Sequence, residues 1–309
     1  MHGRERRQDG TMSLARTATG TALAIGTVAG LLAAVTLLDP DRRNVADSAA
    51  RIDIDCDPEA LGADADFRIE TARHAVDGAL GTTCLGRADP RLESAWETLL
   101  AVAGPEALAP IGVLTRHAQP ADAEELTMAW VSAHDEAGTV FQLSFDPDSV
   151  EGYPAEAALT LVHELAHVLS AAPGEVRRDP AALEACATWS NGLECFVEGS
   201  LVHRWIEAFW GDGRADAVEV RDGPGVADGR ARCDADDGFF GPYAATTPEE
   251  DFAQSFAAWT LGLEPSSAGQ AERLAWMETE PEFAGYRERA HAAGIAPLRN
   301  PFEPCGPDL

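Results

Sequence analysis

Residues 161–168 read Leu-Val-His-Glu-Leu-Ala-His-Val, so that His163, Glu164 and His167 have the spacing His-Glu-x-x-His. On an α-helix, residues four apart share a face, and His163 and His167 then present two imidazoles to one ion. Glu164 lies beside this pair without being needed as a ligand, and it is placed to take a proton from a metal-activated water and hand it to a leaving amine. Leu159, Val162, Ala166 and Leu169 give the same helix an apolar side for the core. Chance is a poor account of the pattern. Shuffled chains of this composition would show it roughly twice in a hundred, and buried imidazoles need partners. A catalytic zinc takes three protein ligands and keeps one position for water, so one Zn2+ per chain and a third donor are expected. A longer pattern with Gly at 170 and a third His at 173 is absent, because Ser170 and Pro173 stand there. The donor is therefore sought among later carboxylates: Glu250, or Glu194 with Glu198 one turn beyond it.

These residues must be held by regular elements. Leu92, Trp96, Leu99 and Leu100 fall at helical spacing and predict a helix over 90–103, stopped by Gly104-Pro105. Ile111–Thr115 reads as a strand. Leu126, Met128 and Trp130 alternate with their neighbours, as do Phe141, Leu143 and Phe145, and Asp135–Gly138 is a turn between them, which predicts a β-hairpin. Pro154 opens the helix that carries the histidines, over 154–170. Further helices are expected through Leu201–Phe209, over 248–262 and near 281–292, with a long Gly- and Asp-rich loop over 211–242. On position alone, the Val140–Asp146 run is the sheet edge on which an extended substrate would pair, or else an ordinary core strand.

The 309 residues carry 23 Arg and no Lys against 52 acids, a net charge of −29 that makes nucleic acid and anionic lipid poor partners. Arg4, Arg6, Arg7 and Arg16 precede an uncharged stretch from Thr17 to Leu38, the pattern of an export signal long enough to span a bilayer. The expected organisation is a short basic cytoplasmic end (1–16), a transmembrane anchor or signal peptide (17–38), a linker and N-terminal extension (39–87) and a catalytic domain (88–309). The chain is then membrane-anchored with its catalytic domain outside, or secreted. Six cysteines without a Cys-x-x-Cys pair suit disulfides in an oxidising compartment, and Cys186–Cys195 closes a short loop around Ser190-Asn191-Gly192.

His163-Glu-Leu-Ala-His167, followed by Tyr243-Ala-Ala-Thr-Thr-Pro-Glu-Glu-Asp-Phe-Ala-Gln-Ser-Phe-Ala, resembles the gluzincin metallopeptidases, in particular the lethal-factor-like branch and its secreted bacterial relatives. The resemblance runs from about Trp96 to about Arg289. It implies an α+β, zincin-like domain with a small mixed sheet and β-hairpin beside the active-site helix, the remainder mostly helical, acting on peptide or protein substrates. It also implies Glu250 as third ligand and Tyr243 as the group that assists the oxyanion. Where the family commonly has an acid one turn after the ligand, this chain has Gln254, whose amide oxygen can accept an imidazole N–H but brings no charge. Thr247, Pro248 and Glu250 equally fit a helix-capping box, in which Glu250 would only reach back to the Thr247 backbone. The reading from another class is a non-catalytic surface protein braced by a structural metal.

Overall fold

The computed structural model describes residues 54–306, apart from 65, 121–122, 124–125, 136, 219–225 and 303. The basic end (1–16) and the uncharged span (17–38) lie outside the described residues; among the described residues no helix is long and apolar enough to cross a membrane. Strands β1 (Arg68–Val76), β2 (Ala79–Leu85), β3 (Ile111–Ala118), β4 (Ala129–Ala133) and β5 (Phe141–Phe145) form one sheet in the order β2-β1-β3-β5-β4. β3 and β5 run parallel and the other neighbours antiparallel, so the sheet is mixed. A two-stranded ribbon, β6 (Val176–Arg177) with β7 (Cys195–Phe196), stands apart. With nine helices among the described residues, the chain is α+β.

Alternation along the strands gives the sheet two unequal faces. Leu114, Phe141, Leu143 and Phe145 join Leu92, Trp96 and Leu99 of α1 (Pro90–Ala103) and the apolar side of α3 (Pro154–Ser170) in the main core; α2 (Pro105–Leu108) is a single turn between α1 and β3. Val113, Ile69, Ala72 and Val140 face the other way, onto Ile54 and Leu61. That segment is tied to β2 by the Cys56–Cys84 disulfide. The described part of the stretch read as linker and extension, residues 54–87, thus supplies two strands and, with Val113 and Val140, a second small core. Its alternation is hidden because β1 is bulged against both neighbours, and each register shift breaks the period of two.

The hairpin forms, and of the two readings of the Val140–Asp146 run the core strand is the one found. β5 pairs with β3 on one side and β4 on the other, and all five of its residues are buried. Its polar positions are satisfied inside: Gln142 donates to the Leu61 carbonyl and to Thr115 Oγ1, and Ser144 pairs with His117. β4 is an edge strand, as is β2 at the other end of the sheet. The stretch 211–242 is not all loop, since α6 (Val226–Ala235) lies within it, pinned to the C-terminal tail by Cys233–Cys305. Cys186–Cys195 is formed as expected and closes the loop between α4 (Pro180–Glu184) and β7. α5 (Leu201–Phe209), α7 (Pro248–Thr260), α8 (Ala268–Thr279) and α9 (Tyr286–Ala292) complete the helical layer; α8 carries no clear apolar stripe and was not foreseen.

Candidate metal centre

Two helices build the site. α3 starts at Pro154 and runs beneath the sheet; its burial is nearly continuous from Ala158 to Val168, so the histidine turn is enclosed. α7 starts where the Thr247 hydroxyl accepts the Glu250 backbone N–H at 3.3 Å, with Pro248 in the first turn. Only this half of the capping box forms. The Glu250 side chain does not return to Thr247 but points across to α3.

There three donor atoms converge. His163 Nε2 and His167 Nε2 are 3.0 Å apart, and Glu250 Oε2 lies 2.9 Å from the first and 3.5 Å from the second. Donors about 2.05 Å from a tetrahedral zinc are separated by about 3.3 Å, so the triangle has the size that ion requires. The hydrogen-bond geometry points the same way. Gln254 Oε1 can only accept, so His163 donates from Nδ1 at 3.1 Å and its Nε2 carries a lone pair toward the convergence. Glu250 Oε2 is buried with no hydrogen-bond donor aimed at it. A buried carboxylate oxygen left without a donor is costly in a finished fold, whereas a cation between the three atoms would satisfy it.

Charge supports the same fit. Burial disfavours a charged His167 ring, yet Glu250, with Glu164 and Glu249 behind it, lifts its pKa to about 9. Burial likewise opposes ionisation of Glu250, but His167 and His163 hold its carboxyl well below the usual range. The protein thus prepares a place for positive charge. Glu164 is buried on the cleft wall; burial raises its pKa and the two imidazoles pull it back. Tyr243 lines the cleft with its ring 5.9 Å from that of His163. The residue is 43% exposed, yet desolvation, then the Glu250 and Glu164 charges, hold the phenol well above its usual pKa, so it stays a donor.

The other carboxylates lie elsewhere. Glu194 pairs with Arg178 on the wall of the cleft, and Glu198 is exposed. Neither joins the histidines; the described residues that converge there are His163, His167 and Glu250. A second group with ligand-like spacing, Cys56, His74 and Cys84, has its sulfurs joined in a disulfide.

The cleft above the three donors has a volume of about 530 Å³. Its sides are the β4 edge and the Asn191–Glu194 tip of the disulfide loop. Several residues that shape it gave no signal in the sequence. Trp189, inside that loop, donates from Nε1 to Glu249 Oε2 at 2.9 Å. Asp251, fully buried, accepts from the indoles of Trp205 and Trp210 at 3.0 and 2.9 Å and from Arg273 Nε at 3.0 Å. Arg232 on α6 donates to the carbonyls of Ala245 and Thr246 at 2.6 and 2.7 Å and so braces the turn that delivers Tyr243. Only the run Glu249-Glu250-Asp251, three adjacent acids in a first helical turn, was a visible hint. No protein-family model, curated protein or solved structure matches the chain.

Proposed function

We propose that the chain is a zinc-dependent metallopeptidase of the gluzincin type, zincin-like in fold, that hydrolyses peptide bonds outside the cytoplasm. The observation that carries this reading is the buried triangle of His163, His167 and Glu250, with edges of 2.9 to 3.5 Å and one carboxylate oxygen lacking a donor. His163, His167 and Glu250 would hold the zinc, and Gln254 fixes the tautomer of His163. Zinc, when bound in such a site, supplies a Lewis acid for the scissile carbonyl and an acidified water.

The remaining work belongs to the chain. Glu164 accepts the proton of the attacking water on its carboxylate and returns it to the leaving amine. The Tyr243 hydroxyl donates to the oxyanion that develops on the substrate carbonyl. The free edge of β4 offers backbone groups with which an extended peptide pairs as an added strand. An open cleft and a glutamate at its wall support catalysis over a purely bracing metal, which needs neither. Three disulfides support an oxidising compartment, with residues 17–38 serving as membrane anchor or signal peptide.

The test is digestion of a proteome-derived peptide library by residues 39–309 loaded with zinc. Cleavage is expected, is lost on chelation and returns with zinc, while the fold survives metal removal. In Glu164→Gln, hydrolysis falls by about 10²- to 10⁴-fold with zinc still near one per chain. A wild-type protein that binds zinc, cuts nothing and unfolds on chelation would mark a structural metal instead.

A further inference from the structure

A count of charge around the cleft, resting on the metallopeptidase reading, leaves one carboxylate without a task. Glu250 and Glu164 together carry the two negative charges that balance a divalent zinc. Glu194 is neutralised by Arg178, the one Lys or Arg side chain among the described residues that line the cleft. Asp135 is consumed by the hairpin turn, where it accepts from the backbone of Thr139 at 2.7 Å and of Val140 at 2.9 Å and from the Thr139 hydroxyl at 2.6 Å. Glu249 remains. It is only 8% exposed, it lines the cleft beside His167, and it ligates nothing.

An acid in the first turn of a helix is ordinary when solvent surrounds it, because the helix dipole favours it there. Glu249 is not so placed. Its Oε2 is fixed by the Trp189 indole at 2.9 Å, a residue delivered by a loop that the Cys186–Cys195 disulfide closes. The backbone N–H of Glu249 itself also donates to the carboxylate, and among the described residues no third donor reaches it. The protein thus supplies two donors to a carboxylate that can accept about four hydrogen bonds, and the remaining capacity lies on the cleft wall.

We propose that Glu249 is the anchor for a positively charged group of the substrate, an ammonium or guanidinium bound beside the metal. The partner is a cation because the carboxylate is acceptor-only and enclosed, and a charge-assisted bond there is stronger than one to a neutral donor. The source is either the free α-amino group of a peptide, which makes the activity that of an exopeptidase, or a basic side chain flanking the scissile bond. The two differ in what they predict.

The experiment reads binding and not turnover. The zinc-loaded Glu164→Gln chain is titrated calorimetrically with one peptide in four forms: free or acetylated at its N-terminus, with arginine or citrulline at the position before the central bond. At least one cationic form should bind about 10- to 100-fold tighter than its neutral counterpart. Adding Glu249→Gln, which keeps the size and the acceptor for Trp189, should reduce that preference to below about threefold with zinc stoichiometry unchanged. Trp189→Phe should retain the preference, whereas a purely structural role for the Glu249–Trp189 pair would make the two variants alike. Loss on acetylation assigns the α-amino group, and loss with citrulline assigns the side chain. Equal affinity for all four forms, or a cation preference that survives Glu249→Gln, overturns the proposal. A wild-type chain that prefers the cation through Glu249 yet hydrolyses no peptide would refute the peptidase reading and leave this subsite standing.

Discussion

Replacing Glu250 by glutamine removes the only carboxylate of the triangle while keeping the size of the side chain. The Thr247 cap uses the backbone N–H of residue 250 and survives, but the metal-free chain loses the charge pairing of Glu250 with the histidines, so each variant is compared with itself with and without zinc. Zinc binding should not survive intact. Four-donor zinc sites gather about 10–16 kcal/mol, or about 2.5–4 kcal/mol per donor, so loss of one donor weakens zinc by roughly 10²- to 10³-fold. Mass action turns this into a melting experiment. At zinc 1,000 times the wild-type dissociation constant, the ion adds about 4.1 kcal/mol of stability. A variant bound about 300-fold more weakly gains only about 0.9 kcal/mol at the same concentration. The difference of about 3 kcal/mol corresponds to a zinc-induced rise in Tm smaller by about 6–12 °C. Chelator competition gives the affinity directly, and scanning calorimetry with and without zinc gives the shift. If Glu250→Gln keeps wild-type affinity while Glu194→Gln loses it, the ligand assignment is wrong and the 2.9 Å approach of Glu250 to His163 has another cause.

Gln254→Ala should lower zinc affinity about 10- to 100-fold, because His163 Nδ1 loses the acceptor that fixes its ring; an unchanged affinity in the same competition would show that packing alone holds it. Asp251→Asn leaves Arg273 buried beside a neutral partner and should cost about 3–5 kcal/mol in urea unfolding of the zinc-free chain, and a loss below about 1 kcal/mol would contradict that count. His117 is buried between Ser144 Oγ and the Thr127 carbonyl, and burial pushes its pKa below the usual 6.5 despite Asp146 nearby. The unfolded chain then takes up a proton near pH 6.5 that the folded chain refuses, so stability should fall as pH drops below about 6.5. His117→Gln should flatten the slope of the urea midpoint between pH 7.5 and 5.5, and an unaltered slope would remove His117 as its source.

Local pattern was a good guide wherever an element met one neighbour with one face. The helix over 90–103, the histidine helix and the start of α7 at Thr247-Pro248 all follow from apolar spacing and capping residues, and the structure places them within a residue or two. The pattern left the choice open where an element has neighbours on two sides. β5 alternates as an edge strand would, but Gln142 and Ser144 are buried with partners on β3 and in the Leu61 segment, and those partners are far away in sequence. β1 was illegible because its bulges reset the alternation. At the site, the histidines and Glu250 are legible because residue type and helical spacing go together there. Trp189, Arg232 and Asp251 are not, since an indole, a guanidinium and a carboxylate that position other groups follow no spacing rule.

The three acids that open α7 set its rotation as well as its charge. Successive residues on a helix are about 100° apart around the axis. Glu249, Glu250 and Asp251 therefore face three directions, toward Trp189, toward the histidines and toward the Arg273, Trp205 and Trp210 cluster. A turn of the helix by one residue would bring Glu249 or Asp251 into the place of Glu250, and either would still be a carboxylate. Composition cannot tell these settings apart. The indoles and Arg273 can, because each accepts its own acid at its own angle, and a slip in either direction would strand the Arg273 guanidinium in the core. The device is a rotational lock: two flanking teeth, engaged in different neighbours, hold the middle one against the histidines.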